Sequence, residues 1–160
     1  MSMLEAPDLR LFAGHFATGV TVITTRDPNG TLCGLTMNAV SCVSLTPPLF
    51  LICVDQKAAT LKPLLEFGCF AINILAWDQD KVSTIFATKG EDRFSKVEYD
   101  MGALDVPLIR GALAVAELKV SQHFTAGDHE IIIGEAQSTR VIESAPLLYY
   151  RGKYGLLHQS

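Results

Sequence analysis

The chain has no apolar run near the ~20 residues that a membrane-spanning helix requires, no surplus of basic residues and no paired cysteines. Lysine and arginine total 13 against 17 aspartates and glutamates, a net charge of −4, which excludes the basic footprint of a nucleic-acid surface. A free mononucleotide is not excluded, because backbone amides and one or two cations suffice to hold it. Cys33, Cys42, Cys53 and Cys69 form no CxxC pair, and no histidine stands beside one at a zinc-like spacing. Neither a disulfide framework nor a metal site is therefore indicated. The four are expected to be small buried hydrophobes in a reducing cytoplasm. The opening stretch, MSMLEAPDLR, lacks a basic segment followed by an apolar one, so a cytoplasmic location is expected. Charged residues make up only 19%, which leaves room for an apolar subunit interface. The 160 residues, 49% of them apolar, are enough for one domain over 1–160 with a full core.

Leu9, Phe12, Ala13 and Phe16 recur at helical spacing and predict an amphipathic helix over 7–16, with Pro7 and Asp8 in its first turn. Seven β-branched or apolar runs predict strands: 19–25, 33–36, 39–45, 49–55, 70–75, 113–124 and 130–141. LFLICVD, at 49–55, is continuously apolar and is expected to be buried on both faces. Residues 59–67 and a segment from Asp78 through Ala87 predict helices, with Thr60 and Asp78 as caps. Residues 88–107 read as an irregular polar loop, and 125–129 as a hairpin connection. The tail PLLYYRGKYGLL is expected to pack down. Short connections without βαβ alternation predict a mainly β fold, an antiparallel barrel with peripheral helices.

Four stretches could carry chemistry. Thr36-Met37-Asn38-Ala39, with Ser41 close behind, places small and hydroxyl residues between two strands, where backbone amides can approach a ligand. An ordinary polar corner explains the same residues. From Cys53, Val54 and Asp55 the chain leaves a strand, passes Lys57 and opens a helix at Ala59 and Thr60. Free amides and the helix dipole would favour a phosphate there. A capped helix with a solvated lysine is the plainer account. Phe86, Lys89, Arg93 and Phe94 combine aromatic rings with cations that could hold a planar ring and a phosphate. A core phenylalanine beside a solvated charge cluster is, taken alone, the plainer account. His129, after Gly127 and Asp128, stands at a hairpin tip, where most histidines do nothing specific. Neither GxGxxG nor a GxxxxGKS/T loop occurs, and GxSxG is absent. The cysteines lack the cationic neighbours that make a thiolate. Hydride transfer between two cofactors needs no such machinery, only stacking of donor on acceptor.

In order along the chain, FATGVTVITT, CGLTMNAVSCVSLTPPLFLICVD, FAINIL, STIFA, RF at Arg93, GALAVAEL, AGDHEIIIGEA and PLLYYRGKYGLL resemble the short-chain flavin reductase family, the reductase components of two-component flavin-dependent monooxygenases. The resemblance runs from about Leu9 to Leu157. It implies a six-stranded antiparallel FMN-binding split barrel of Greek-key type, a homodimer, FMN or FAD as flavin and NADH or NADPH as hydride donor. It also implies a monooxygenase partner that receives reduced flavin. By match, Thr36, Met37, Asn38 and Ala39 line the isoalloxazine, and Cys53, Val54 and Asp55 continue along it. Ser41, Lys57, Ala59 and Thr60 lie near the ribityl and phosphate, while Phe86, Lys89, Arg93 and Phe94 close the site. His129 approaches the nicotinamide as the catalytic residue, and Tyr154 belongs to the C-terminal segment of the site. Ala39 stands where many relatives carry serine, so one hydroxyl is missing. Two other readings compete. One is an oxidase of the pyridoxamine-phosphate-oxidase type, whose richer Arg/Lys set is not seen here. The other is a non-catalytic flavin- or haem-binding dimer.

Overall fold

All seven runs that read as strands lie in one antiparallel sheet of a computed structural model that describes residues 4–90 and 92–158. They are β2 (Thr21–Arg26), β3 (Leu32–Met37), β4 (Val40–Leu45), β5 (Pro48–Asp55), β6 (Cys69–Ile74), β9 (Ala114–Ala126) and β10 (His129–Val141). Their order across the sheet is β3-β2-β6-β9-β10-β5-β4. The resemblance implies six strands; the sheet has seven because both arms of the hairpin turning at Thr46–Pro47 pair within it. β3 and β4 are its two edges, yet only Asn38 and Ala39 separate them in the chain. Three Cα steps span at most about 11 Å, so the sheet must curl until its edges meet at that corner. No ladder joins β3 to β4 among the described residues, and the barrel is split there. Helix α2 (Leu61–Phe67) follows β5 and bridges the split: the Thr60 hydroxyl donates to the Gly34 carbonyl on β3 at 3.2 Å. That bond takes the place of a side-chain helix cap at Thr60.

Ile23, Ile52, Val54, Leu64, Phe70, Ile72, Leu118 and Ile132 fill the barrel interior. On the outer face of β2, Val20, Val22, Leu75, Phe86, Val115 and Leu147 form a second core under helix α3 (Asp80–Ala87). β2 and β6 are therefore the strands buried on both faces. The continuous apolar run in β5 is not: only Ile52 and Val54 are buried, because no layer among the described residues covers its outer face. Helix α3 is capped at Gln79 rather than Asp78. The Gln79 side chain accepts from the Ala76 amide at 3.0 Å and donates to the Arg110 carbonyl at 2.8 Å.

Residues 88–107 are more ordered than their polar composition indicates. A 3-10 turn at Phe94–Lys96 precedes a hairpin of β7 (Tyr99–Met101) and β8 (Pro107–Ile109). Buried polar groups of the sheet hold it: Thr24 donates to the Pro107 carbonyl, and Asn73 accepts from the Ile109 amide at 2.8 Å. β9 and β10 extend further than the sequence reading, joined by a two-residue turn, Gly127–Asp128. Gly127 has φ +62°, the positive φ that a two-residue hairpin turn demands. The tail forms β11 (Leu147–Tyr150) and β12 (Lys153–Leu156), with β11 also pairing to β1 (Thr18–Gly19). Leu147 is buried, but Tyr150, Leu156 and Leu157 stay about half exposed, so the tail packs down only in part. Helix α1 (Ala6–Gly14) starts with a reciprocal Glu5–Asp8 capping box, and none of its residues is buried. Its apolar face has no partner among the described residues: Phe12 is 78% and Phe16, just beyond it, 77% exposed. The cysteines differ from expectation too. Cys42 is exposed, and Cys33, Cys53 and Cys69 are only half-buried, because they lie on outward faces or strand ends.

Candidate active site

A groove follows the corner where the barrel edges meet. One end, about 240 Å³, is walled by three elements: Thr36, Met37 and Asn38 from the end of β3, Ser83 and Ala87 from α3, and Tyr149 and Tyr154 from the β11–β12 hairpin, with Val20 alongside. The walls are tied together. The Thr36 hydroxyl donates to the Ser83 carbonyl at 2.6 Å, Ser83 Oγ and the Tyr154 hydroxyl lie 2.8 Å apart, and the Thr21 hydroxyl donates to the Met37 carbonyl at 2.7 Å. The Tyr149 and Tyr154 rings are 5.8 Å apart. This end is aromatic, uncharged and partly enclosed.

Thr36 and Ala87 also line the adjoining stretch, about 500 Å³, together with Lys57, Ala59, Thr60, Phe86, Lys89 and Arg93. Lys57, Lys89 and Arg93 form no close ion pair among the described residues, and all three line the one depression. The sequence brings them there for local reasons. Lys57 follows β5 at the opening, and Lys89 and Arg93 leave the end of α3, whose Phe86 packs into the core. Arg93 Nη1 donates to the Phe86 carbonyl at 3.2 Å, and its guanidinium lies 5.8 Å from the Phe86 ring. Phe94 stands edge-on to Phe86 at 5.1 Å and to Tyr99 at 5.4 Å, and with Arg93 it lines a neighbouring depression.

Ala39, Ser41, Cys53, Val54, Asp55 and His129 do not line this groove. The Ala39 carbonyl accepts from the Cys53 amide at 3.1 Å, which stitches the corner to β5. Ser41 is exposed on β4, its hydroxyl donating to the Cys42 carbonyl at 3.2 Å. Val54 is fully buried in the barrel. The Asp55 carboxylate accepts from the Lys57 amide at 2.7 Å and fixes the turn that carries Lys57. His129 pairs across strands with Asp55, and its Nδ1 lies 2.7 Å from Asp128 Oδ1. That hydrogen bond holds the Asp128 carboxyl below its ordinary value. The Asp128 carbonyl accepts from the Gln56 amide at 3.0 Å, so the hairpin tip is pinned beside the Lys57 turn. Burial pushes the Cys33, Cys53 and Cys69 thiols up, which keeps them protonated and poor nucleophiles.

Sequence reading missed Ser83, Ala87, Tyr149 and Val20. Ser83 had a signal: it lies one turn before Phe86, on the apolar face of α3. Tyr149 falls within the aromatic tail motif but was not singled out.

The fold is thus a split antiparallel barrel with a groove that is aromatic at one end and cationic at the other. Residues 13–158 match the flavin reductase like domain, and the chain belongs to that family. It is 41% identical over 145 residues to a flavin reductase (NADH) of Kitasatospora aureofaciens, covering 88% of this chain and 76% of that protein. It is 40% identical over 147 residues to the reductase component of a flavin-dependent trigonelline monooxygenase of Acinetobacter baylyi, covering 92% of this chain. It spans about half of that relative, 47%. Among solved structures, an NADH:FAD oxidoreductase of Streptomyces globisporus superposes with a TM-score of 0.92 at 31% identity, with 99% of each chain covered.

Proposed function

We infer that this protein is a single-domain NAD(P)H-dependent flavin reductase that takes hydride from NADH or NADPH, reduces FMN or FAD, and releases the product to a separate flavin-dependent monooxygenase. The observation that carries this is the polarity of the groove. Its aromatic end suits a planar isoalloxazine, and its adjoining cationic end suits a phosphate. Flavin supplies the hydride-accepting ring, and reduced nicotinamide supplies the hydride. The chain's own part is binding and orientation. The backbone of Thr36–Asn38 and the rings of Tyr149 and Tyr154 enclose one end, and Lys57, Lys89 and Arg93 neutralise the anionic tail at the other. His129, fixed by Asp128 beside the Lys57 turn, positions the nicotinamide; no enzymic base is required, because hydride leaves from carbon. The exposed apolar face at Leu9, Phe12 and Phe16 supports assembly as a homodimer. The composition supports a cytoplasmic location, and no helix among the described residues is long and apolar enough to cross a membrane. Steady-state NAD(P)H oxidation with riboflavin, FMN and FAD tests the reading. The expected result is a flavin-dependent rate with a lower KM for FMN or FAD than for riboflavin. Equal KM values for all three would remove the cationic end from the site.

A further inference from the structure

Ser83 is fully buried, yet it lines the aromatic end of the groove. Its two polar groups point in different directions. The carbonyl accepts from Thr36 of β3 at 2.6 Å, and the hydroxyl meets the Tyr154 hydroxyl of β12 at 2.8 Å. One residue of α3 therefore joins both opposing walls. The second link is the narrower one. Among the described residues, no other hydrogen bond or ion pair ties α3 to the β11–β12 hairpin. The hairpin is otherwise anchored by Leu147 in the core, whose amide donates to the Leu75 carbonyl at 3.1 Å, by pairing to β1, and by the Arg151 amide donating to the Gly14 carbonyl of α1 at 3.0 Å. Its tip, Arg151–Gly152, is exposed, and Tyr154 is itself 41% exposed. A buried hydroxyl with one partner on a half-exposed ring is a poor investment for folding alone, because water would satisfy Tyr154 equally well.

We propose that Ser83 is a positioning residue that holds Tyr154 and its hairpin against the groove, and that this hydroxyl pair sets how long flavin stays bound. The inference rests on the reading of the groove as a flavin site. It bears on release, the step by which a reductase passes its product on. With the pair intact, the groove is closed across three walls. With it broken, the hairpin keeps its β1 anchor but loses its tie to α3, and the flavin ring leaves sooner.

The experiment measures flavin binding and release, by fluorescence titration and stopped-flow displacement, for wild type, Ser83→Ala, Tyr154→Phe and the double variant, each with FMN and FAD. Loss of one such hydrogen bond predicts release about three- to tenfold faster in either single variant. The double variant should be no worse than each single one, because the two substitutions remove the same bond. KM for flavin should rise more than kcat changes. Tyr154→Phe keeps the ring and alters a half-exposed site, so it serves if Ser83→Ala folds poorly. Wild-type release rates in both single variants, or additive effects in the double variant, would overturn the latch. Absence of flavin binding by the wild-type protein would instead overturn the reading of the groove.

Discussion

His129 carries the most specific assignment at the scale of one residue. Its ring is half-exposed at the start of β10 and oriented by Asp128, with no neighbour that would make it a metal ligand among the described residues. A positioning group of this kind acts through one contact, so His129→Ala should lower kcat/KM for the nicotinamide nucleotide roughly ten- to hundredfold. Flavin affinity, measured by titration, should stay near wild type, because His129 does not line the groove. Unchanged nucleotide efficiency would make His129 an ordinary tip residue. Gly34 gives a second test. A Cβ there would lie 2.9 Å from the Phe86 ring and 3.1 Å from the Ile23 carbonyl, and the carbonyl cannot yield. Gly34→Ala should therefore cost about 1–3 kcal/mol in denaturant unfolding and weaken flavin binding by displacing the ring that floors the cationic end. A midpoint equal to wild type would show that the barrel wall gives way at no cost.

The long hairpin β9–β10 has its own electrostatics at the scale of elements. Glu130 points to the interior beside Val54. Its carboxyl is held below the ordinary value, first by His123 Nδ1 at 2.5 Å and next by the Thr125 hydroxyl at 2.9 Å. A depressed folded value means that the ionised form is favoured by folding. The stabilisation is complete above the unfolded glutamate value, about pH 4.3, and is lost as pH falls from there through the lower folded value. Thermal melts across that window should show Glu130→Gln losing less stability than wild type. Parallel losses would mean the cluster does not stabilise the hairpin. Strands were the most legible elements, because β-branched runs bounded by Gly, Pro and Asp leave few alternatives. The short β7–β8 hairpin was not legible. Three-residue strands carry no periodicity, and buried Thr24 and Asn73, distant in sequence, hold them. Face burial in β5 was likewise invisible, since it depends on which strands α3 covers. Of the site, Lys89 and Arg93 could be read from aromatic and basic clustering, and Lys57 from its turn between a strand and a helix. Ser83 offered only its place on the apolar face of α3, where a serine reads as filler until its partner on β12 is known.

The uncovered face of α1 matters most for the whole molecule. Phe12 and Phe16 together with Leu9 form an apolar surface next to the groove, whose end is bordered by Asn38 and Tyr149. Exposed surface of this kind in a chain with 19% charged residues predicts association. Light scattering at micromolar concentration should give a homodimer, and Phe12→Glu should shift it toward monomer; a wild-type monomer would contradict the assembly. The central claim is hydride transfer from nicotinamide to flavin. It is tested most directly by anaerobic mixing of the protein with NADH or NADPH and excess FMN or FAD, following both chromophores at once. Nicotinamide oxidation and flavin bleaching should proceed together, one for one, at a rate proportional to protein. Oxidation with no flavin reduction, or no reaction with either nucleotide, would contradict it.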